Sequence, residues 1–177
     1  PGHLAHLACF NVTEHERKLS TVLELPVYGC DPGLLFWGTK SGSREIFKAC
    51  GIDTPAGYEN LQDENDIIKA LADLYTNNPG IKKAVIKMND GFSGEGNAVF
   101  SFKNIIAGDD IAAQIQLQLP LQIKIVASDL GYEQFIKKFT GMGGIVEAFI
   151  DGQQKATPSV QCRINPLGKI DIISTHD

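Results

Sequence analysis

No apolar stretch in this chain approaches the roughly 20 residues that cross a bilayer as a helix, and no basic run is longer than Lys82-Lys83 or Lys137-Lys138. The first absence argues against a membrane span. The second, beside a net charge of −5, argues against a nucleic-acid footprint, which needs clustered positive charge. Neither a membrane nor a nucleic acid is expected as a partner. No charged-then-apolar signal segment opens the sequence, so a cytoplasmic setting is expected. Without such a signal, Asn11-Val12-Thr13 reads as a chance match to the glycosylation triplet.

Cysteine is scarce and scattered. Cys9, Cys30, Cys50 and Cys162 form no C-x-x-C pair, which favours reduced, mostly buried thiols over a disulfide framework or a zinc site. His3, His6 and His176 sit near the two ends, and isolated histidines of this kind are not expected to bind metal. There is no G-x-G-x-x-G and no Gly-Lys-Ser/Thr, so neither a dinucleotide fingerprint nor a Walker A loop is present. An initiator methionine is missing too. The chain starts at Pro1 and stops at Ser174-Thr175-His176-Asp177, directly after a strand-like run, and is expected to be a piece of something longer.

What is there is an ordinary globular composition: 177 residues, 43% hydrophobic and 21% charged, enough for one sizeable core or two small ones. Residues 5–12 read as a buried strand, and 13–23 as a helix with Thr13 and Glu16 at capping-box spacing. A short strand at 27–29 completes a β-α-β unit. Asp31-Pro32 opens a helical turn, and Ser41 or Ser43 is expected to cap a helix running to about Ala49, with Gly51 just past its end. Apolar positions 67, 68, 71, 74 and 75 make 64–77 an amphipathic helix. Residues 107–120 read as a helix ended before Pro120, although alternation at 115–119 also permits a strand. Then come a strand at 122–128, a helix at 130–141, a buried strand at 143–150 and a hairpin across Leu167-Gly168. Helices interspersed with antiparallel strands give an α+β class.

One stretch asks for more. In "VIKMNDGFSGEGNAVF" (85–100) a strand runs into Lys87, and three glycines follow within six residues before a second strand. Asp90-Gly91 alone would serve a hairpin. Glycines let backbone N–H groups approach an anion closely, and a lysine at the end of the preceding strand adds a point charge. The plain alternative is a flexible hairpin with a surface lysine.

Three motifs in order resemble the ATP-grasp superfamily. "AVIKMNDGFSGEGNA" resembles its lysine strand and flexible glycine loop, and "GTKSGSREIFKACGIDTP" its lysine, helix and Gly-Ile-x-x-Pro. Lys40 and Lys87 lie 47 residues apart, as in that superfamily. "GGIVEAFIDG" resembles the strand that ends at the adenine hinge. The wording "NDGFSGEGNA" and "STHD" is similar to a branch of carboxylate–amine ligases of the pheganomycin peptide ligase type. The resemblance implies a partial ATP-grasp fold, preceded by the end of a Rossmann-like pre-ATP-grasp domain. Residues 1–38 would be that end, 39–142 the first lobe with its lid hairpin, and 143–177 the start of a truncated second lobe.

It further implies ATP and Mg2+ as cofactors, with a small carboxylic acid or an amino-acid or peptide substrate, and the rest of the native chain as a partner. Lys40 and Lys87 would contact the α- and β-phosphates. Ser93, Gly94, Glu95, Gly96 and Asn97 would close over them as a lid. Glu147 would accept from the adenine amino group, with the backbone of Ala148 and Ile150 completing the hinge. A charge inside "IVEAFI" is costly unless partnered, which favours a role. Gln154 stands where an acidic ribose ligand is usual, with Asp151 as a substitute, so ribose is unassigned, as are the catalytic residues. The magnesium ligands would lie beyond Asp177. Glu95-x-Asn97 has suitable letters but falls in the lid and is rejected as a metal site. The function implied is an ATP-dependent ligase forming C–N bonds through an acyl phosphate, the 177 residues alone being inactive. The alternative is a nucleotide-binding regulatory module that keeps the fold without turnover.

Overall fold

A computed structural model describes residues 5–91, 94–108, 110–152, 154, 156–165 and 167–176. Pro1, His3, Ser93 and Asp177, named above, lie outside the described residues. The elements run β1 (Leu7–Ala8), α1 (Glu14–Leu23), β2 (Val27–Tyr28), a 3-10 turn (Pro32–Leu34), α2 (Leu35–Gly38), α3 (Lys40–Ala49) and β3 (Gly57–Leu61). They continue with α4 (Glu64–Asn77), β4 (Lys83–Met88), β5 (Asn97–Ser101), α5 (Ile111–Gln122), β6 (Lys124–Ile125), α6 (Tyr132–Met142), β7 (Gly144–Ala148), β8 (Ser159–Ile164) and β9 (Ile170–His176). The class is α+β.

The first unit is the expected β-α-β scrap. β1 and β2 pair in parallel, Leu7 opposite Val27, and α1 starts at the capping box of Thr13 and Glu16. The buried strand expected over 5–12 shrinks to two residues, Leu7 half-buried and Ala8 exposed, because β2, enclosed by Pro26 and Gly29, offers only two partners.

A five-stranded sheet follows, in the order β3-β7-β4-β5-β6, every pair antiparallel. Period-2 alternation divides its faces. Along β4 the side chains of Ala84, Ile86 and Met88 are buried, and they join Phe100 of β5 and Val146 of β7 in one core. Helices α4, α5 and α6 cover that face with Ile67, Leu71, Ile115, Leu119, Phe135 and Phe139, all fully buried. Such side chains supply most of the folding free energy, at about 1.5–3 kcal/mol each. Val85 and Lys87 alternate to the other face.

The departures from the sequence reading have local causes. Helix α3 is capped by Thr39, whose Oγ1 accepts from Gly42 N at 3.1 Å. Ser41 is instead fully buried, its Oγ accepting from Asn60 N at 3.0 Å. Helix α5 begins after Asp110 and runs through Pro120 to Gln122. The hydrogen bond that proline forfeits belongs to Gln116, an exposed residue whose carbonyl water can reach. Strand β3 had no clear alternation to announce it, and Asn60 within it adopts a left-handed φ of 62° where the β3–β7 register shifts. β6 is two residues rather than seven. The four cysteines are free, as expected, but not buried: Cys30, Cys50 and Cys162 are exposed because they sit outside the main core. The last hairpin, β8–β9, turns at Asn165, whose Oδ1 accepts from Leu167 N and Lys169 N at 2.9 and 3.0 Å. Among the described residues no helix is long and apolar enough to cross a membrane.

Gly144 opens β7 where the sheet meets α6. A Cβ there would stand 2.3 Å from the Lys87 carbonyl oxygen and 2.4 Å from the Phe139 ring. One obstacle is backbone and cannot rotate away. Gly144→Ala is therefore expected to cost about 1–3 kcal/mol, read as a lower denaturant midpoint with an unchanged slope.

Candidate functional site

Lys87 sits between Ile86 and Met88, so pleating alone turns it away from the core. It pairs opposite Ile145 of β7 and Asn97 of β5, and directly opposed residues share a face. Glu147, two residues beyond Ile145, shares it too. The Lys87 ammonium donates to Glu147 Oε1.

Helix α3 lies over this face and presents Lys40, Arg44 and Lys48 at intervals of four, one basic stripe. Arg44 is buried and donates three ways: to Glu147 Oε2 at 2.9 Å, to Glu59 Oε2 at 3.2 Å and to the Pro55 carbonyl at 3.0 Å. Lys48 donates to the other oxygen of Glu59. The result is an alternating chain, Lys48–Glu59–Arg44–Glu147–Lys87, with three cations to two carboxylates. Burial works against the charged form of Glu59, but the hydrogen bonds from Lys48 and Arg44 outweigh it and hold the carboxyl below its ordinary range.

A cleft of about 470 Å³ opens beside this chain, lined by Lys40, Arg44, Phe47, Lys87, Gly91 and Glu147 among others. Lys40 Nζ donates to the Asn89 carbonyl at 3.4 Å. Partial burial, joined by the nearby Lys87 cation, lowers its pKa from the usual lysine value against the opposing pull of Asp90. Helix N-termini often bind anions through free amides, but here those amides are taken. Lys40 N and Ser41 N donate to Asn89, at its carbonyl (3.4 Å) and Oδ1 (3.0 Å), and Gly42 N donates to Thr39. Positive charge at this end of the cleft is the ammonium of Lys40.

The glycine loop has backbone reasons of its own. Gly94 takes φ +86° and closes a turn in which its carbonyl accepts from Asn97 N at 2.9 Å. Gly96 accepts from Met88 N at 2.9 Å, and a Cβ on it would press to 3.2 Å from the Met88 Cβ. Glu95 is exposed. The Oδ1 of Asn97 is buried and has no hydrogen-bond partner among the described residues.

Of the residues named from sequence, Lys40, Lys87 and Glu147 meet in one cleft. Ala148 and Ile150 do not line it: Ala148 N donates to the Ala56 carbonyl at 2.7 Å, and Ile150 is exposed beyond the strand. Asp151 Oδ2 lies 4.0 Å from Lys83 Nζ. Arg44 and Glu59 were not foreseen. The spacing 40, 44, 48 was a legible signal for the first, whereas Glu59 lies on the strand that the pattern did not reveal. Among the described residues no group of three or more His, Cys, Asp and Glu is set to hold a metal.

The sequence model described as "IQCH-like, ATP-grasp" matches residues 34–126, just over half of the chain. The chain belongs to the IQCH-like ATP-grasp family. That match takes in Lys40, Arg44, Lys87 and the glycine loop, and ends before β7. The chain is also 21% identical over 183 residues to IQ motif-containing protein H of Danio rerio, covering 88% of this chain and 17% of that protein. It is 25% identical over 145 residues to L-propargylglycine--L-glutamate ligase of Streptantibioticus cattleyicolor, covering 80% of this chain and 28% of that protein. The chain thus spans less than a third of the length of either relative.

Arg44 is where this site is most exposed to mutation. Removing it leaves Glu59 with Lys48 alone and the buried Glu147 with Lys87 alone, so the loss falls at or below about 3–5 kcal/mol, the cost of a broken buried ion pair. Arg44→Met should lose up to that much in chemical denaturation, and Glu147→Gln in the same chain should give part of it back. Glu59 adds a pH dependence. Its folded value lies below the unfolded one, so its contribution is present above the ordinary carboxylate range and lost as pH falls through the folded value. An acid titration of stability should therefore be flatter in Glu59→Gln than in the parent.

Proposed function

We propose that the cleft between α3 and the β4–β7 face receives the phosphates of ATP, and that the chain is part of an ATP-dependent carboxylate–amine ligase. The observation that carries this is the charge balance. Among the described residues Lys48, Arg44, Lys87 and Lys40 set four cations against the three carboxylates of Glu59, Glu147 and Asp90, a surplus of one, and Lys40 has no carboxylate paired to it by a hydrogen bond. A bound polyanion would satisfy that surplus.

In this reading Lys40 and Lys87 neutralise charge that otherwise repels an incoming carboxylate. Ser93, Gly94, Glu95, Gly96 and Asn97 close over the phosphates and keep water from an acyl phosphate. Asn97 Oδ1, an acceptor, suits a hydroxyl, an amine or a bound water rather than a phosphate oxygen. Glu147, Ala148 and Ile150 belong to the nucleotide hinge. The carboxylate forms an O–P bond to the γ-phosphorus as the bond to ADP breaks. An amine then forms a C–N bond at the acyl carbon as phosphate departs. Magnesium would supply further charge neutralisation at the phosphates, and its ligands are not assigned to residues of this chain. The domain division of 1–38, 39–142 and 143–177 belongs to the same proposal, with β7 contributing its strand to the first lobe's sheet. Support for the ligase chemistry comes from the similarity to the L-propargylglycine--L-glutamate ligase of Streptantibioticus cattleyicolor; the pheganomycin peptide ligase type remains the proposed branch.

A second reading is a nucleotide-binding module without turnover. It is favoured by the family description, which names a fold and no reaction. Amino-acid-dependent release of phosphate from ATP by the longer polypeptide separates the two, since a binding module releases none.

The phosphate assignment has its own check. Lys40→Met and Lys87→Met should each weaken ATP by about 1.5–3 kcal/mol while leaving adenosine nearly unchanged in titration calorimetry. Equal losses for both ligands would remove the assignment.

A further inference from the structure

Glu147 carries one charge and meets two cations, and the two are not equivalent. Arg44 spends all three of its nitrogens, on Glu147, Glu59 and the Pro55 carbonyl, and its side chain is only 6% exposed. It cannot turn toward a ligand without deserting all three. Lys87 has 28% of its side chain exposed, and among the described residues Glu147 is its one partner. An anion entering the cleft therefore competes with Glu147 for Lys87.

How hard Glu147 holds on depends on what else neutralises it. A buried carboxylate with a single counter-ion keeps it, because releasing it would leave an unpaired buried charge. A carboxylate already held by a fixed guanidinium can share its second cation. We propose that Arg44 is a positioning residue for Lys87: the standing counter-ion of Glu147 that leaves the Lys87 ammonium available to a phosphate. This rests on the reading of the cleft as a triphosphate site. Arg44 touches no ligand in this scheme. It acts through Glu147, and Glu59 with Lys48 keeps it oriented.

The arrangement makes a prediction that a merely structural arginine would not. With Arg44→Met, Glu147 should capture Lys87, so that ATP weakens by about tenfold, the scale of one charge-assisted contact, while adenosine is unaffected. In a Glu147→Gln background the same substitution should change ATP affinity by less than about twofold, since no carboxylate remains to capture the lysine. Arg44→Lys, which keeps charge but loses the three-way hold, should fall between parent and Arg44→Met, and should likewise be silent in the Glu147→Gln background. If Arg44→Met does not fold, the lysine variant carries the comparison in both backgrounds.

The measurements are calorimetric titrations of ATP and adenosine into the four or more variants, each first shown to unfold cooperatively. An ATP-selective loss that vanishes with Glu147→Gln supports the proposal. Equal losses for ATP and adenosine, or a loss that persists undiminished in Glu147→Gln, overturn it. Lys40→Met separates its failure from that of the nucleotide reading. If the parent prefers ATP to adenosine and Lys40→Met abolishes that preference, the triphosphate site stands whatever the Arg44 cycle shows. If the parent shows no such preference, both fall together.

Discussion

A carboxylate inside an apolar strand must be compensated, and Glu147 between Val146 and Ala148 sets that requirement for the whole cleft face. Its two oxygens are met from two different elements, Lys87 on β4 and Arg44 on α3. The strands on which Lys87 and Glu147 stand are already in register through five backbone pairs. What the ion pairs add is the placement of α3, whose arginine reaches Glu147 only when the helix lies over β7. Glu59 and the Pro55 carbonyl then fix Arg44 from the far side, which ties β3 and the loop before it into the same arrangement.

The two faces of the sheet follow different rules because alternation gives them different side chains. One face is filled by phenylalanine, isoleucine and leucine from three helices and is buried. The other carries Lys87, Glu147 and Asn97 and is roofed by a single helix with a basic stripe. Asn89, at the end of β4, fastens that roof: it accepts from Lys40 N and Ser41 N, and its own side chain donates to the Met142 carbonyl at 3.1 Å. One residue thereby joins the start of α3, the end of β4 and the end of α6, all within reach of Lys40.

Much of this was legible in the residues, and the illegible parts share a cause. Helices α1 and α4 follow from a capping box and from unbroken 3.6 periodicity, signals that are local and strong. The β4–β5 hairpin follows from alternation and its glycine turn. Strand β3 hid because its five residues mix Gly, Tyr, Glu, Asn and Leu without period, and it exists through pairing with β7, a partner some 90 residues away. Thr39 outcompeted Ser41 as cap because Ser41 was needed inside. Lys40, Lys87 and Glu147 were found through motif order, and Glu147 additionally through the cost of a charge in an apolar strand. Arg44 stood in plain view four residues after Lys40, but its importance depends on Glu59 and Glu147, and neither contact can be read from one helix.

Two glycines of the loop have backbone roles that are independent of any ligand. Gly94 is required by a left-handed turn and Gly96 by close passage over Met88, so both would be needed in a hairpin that bound nothing. The α3 amides, a second conventional source of anion affinity, are consumed by Asn89 and Thr39. Under the proposed reading, the side-chain charge offered to an anion among the described residues is that of Lys40, partly buried, and of Lys87, shared with a carboxylate that Arg44 also serves. Affinity built this way depends on the balance among neighbouring charges more than on loop shape. A substitution that leaves the loop intact but alters Arg44 or Glu147 would therefore reach the cleft as directly as one in the loop itself.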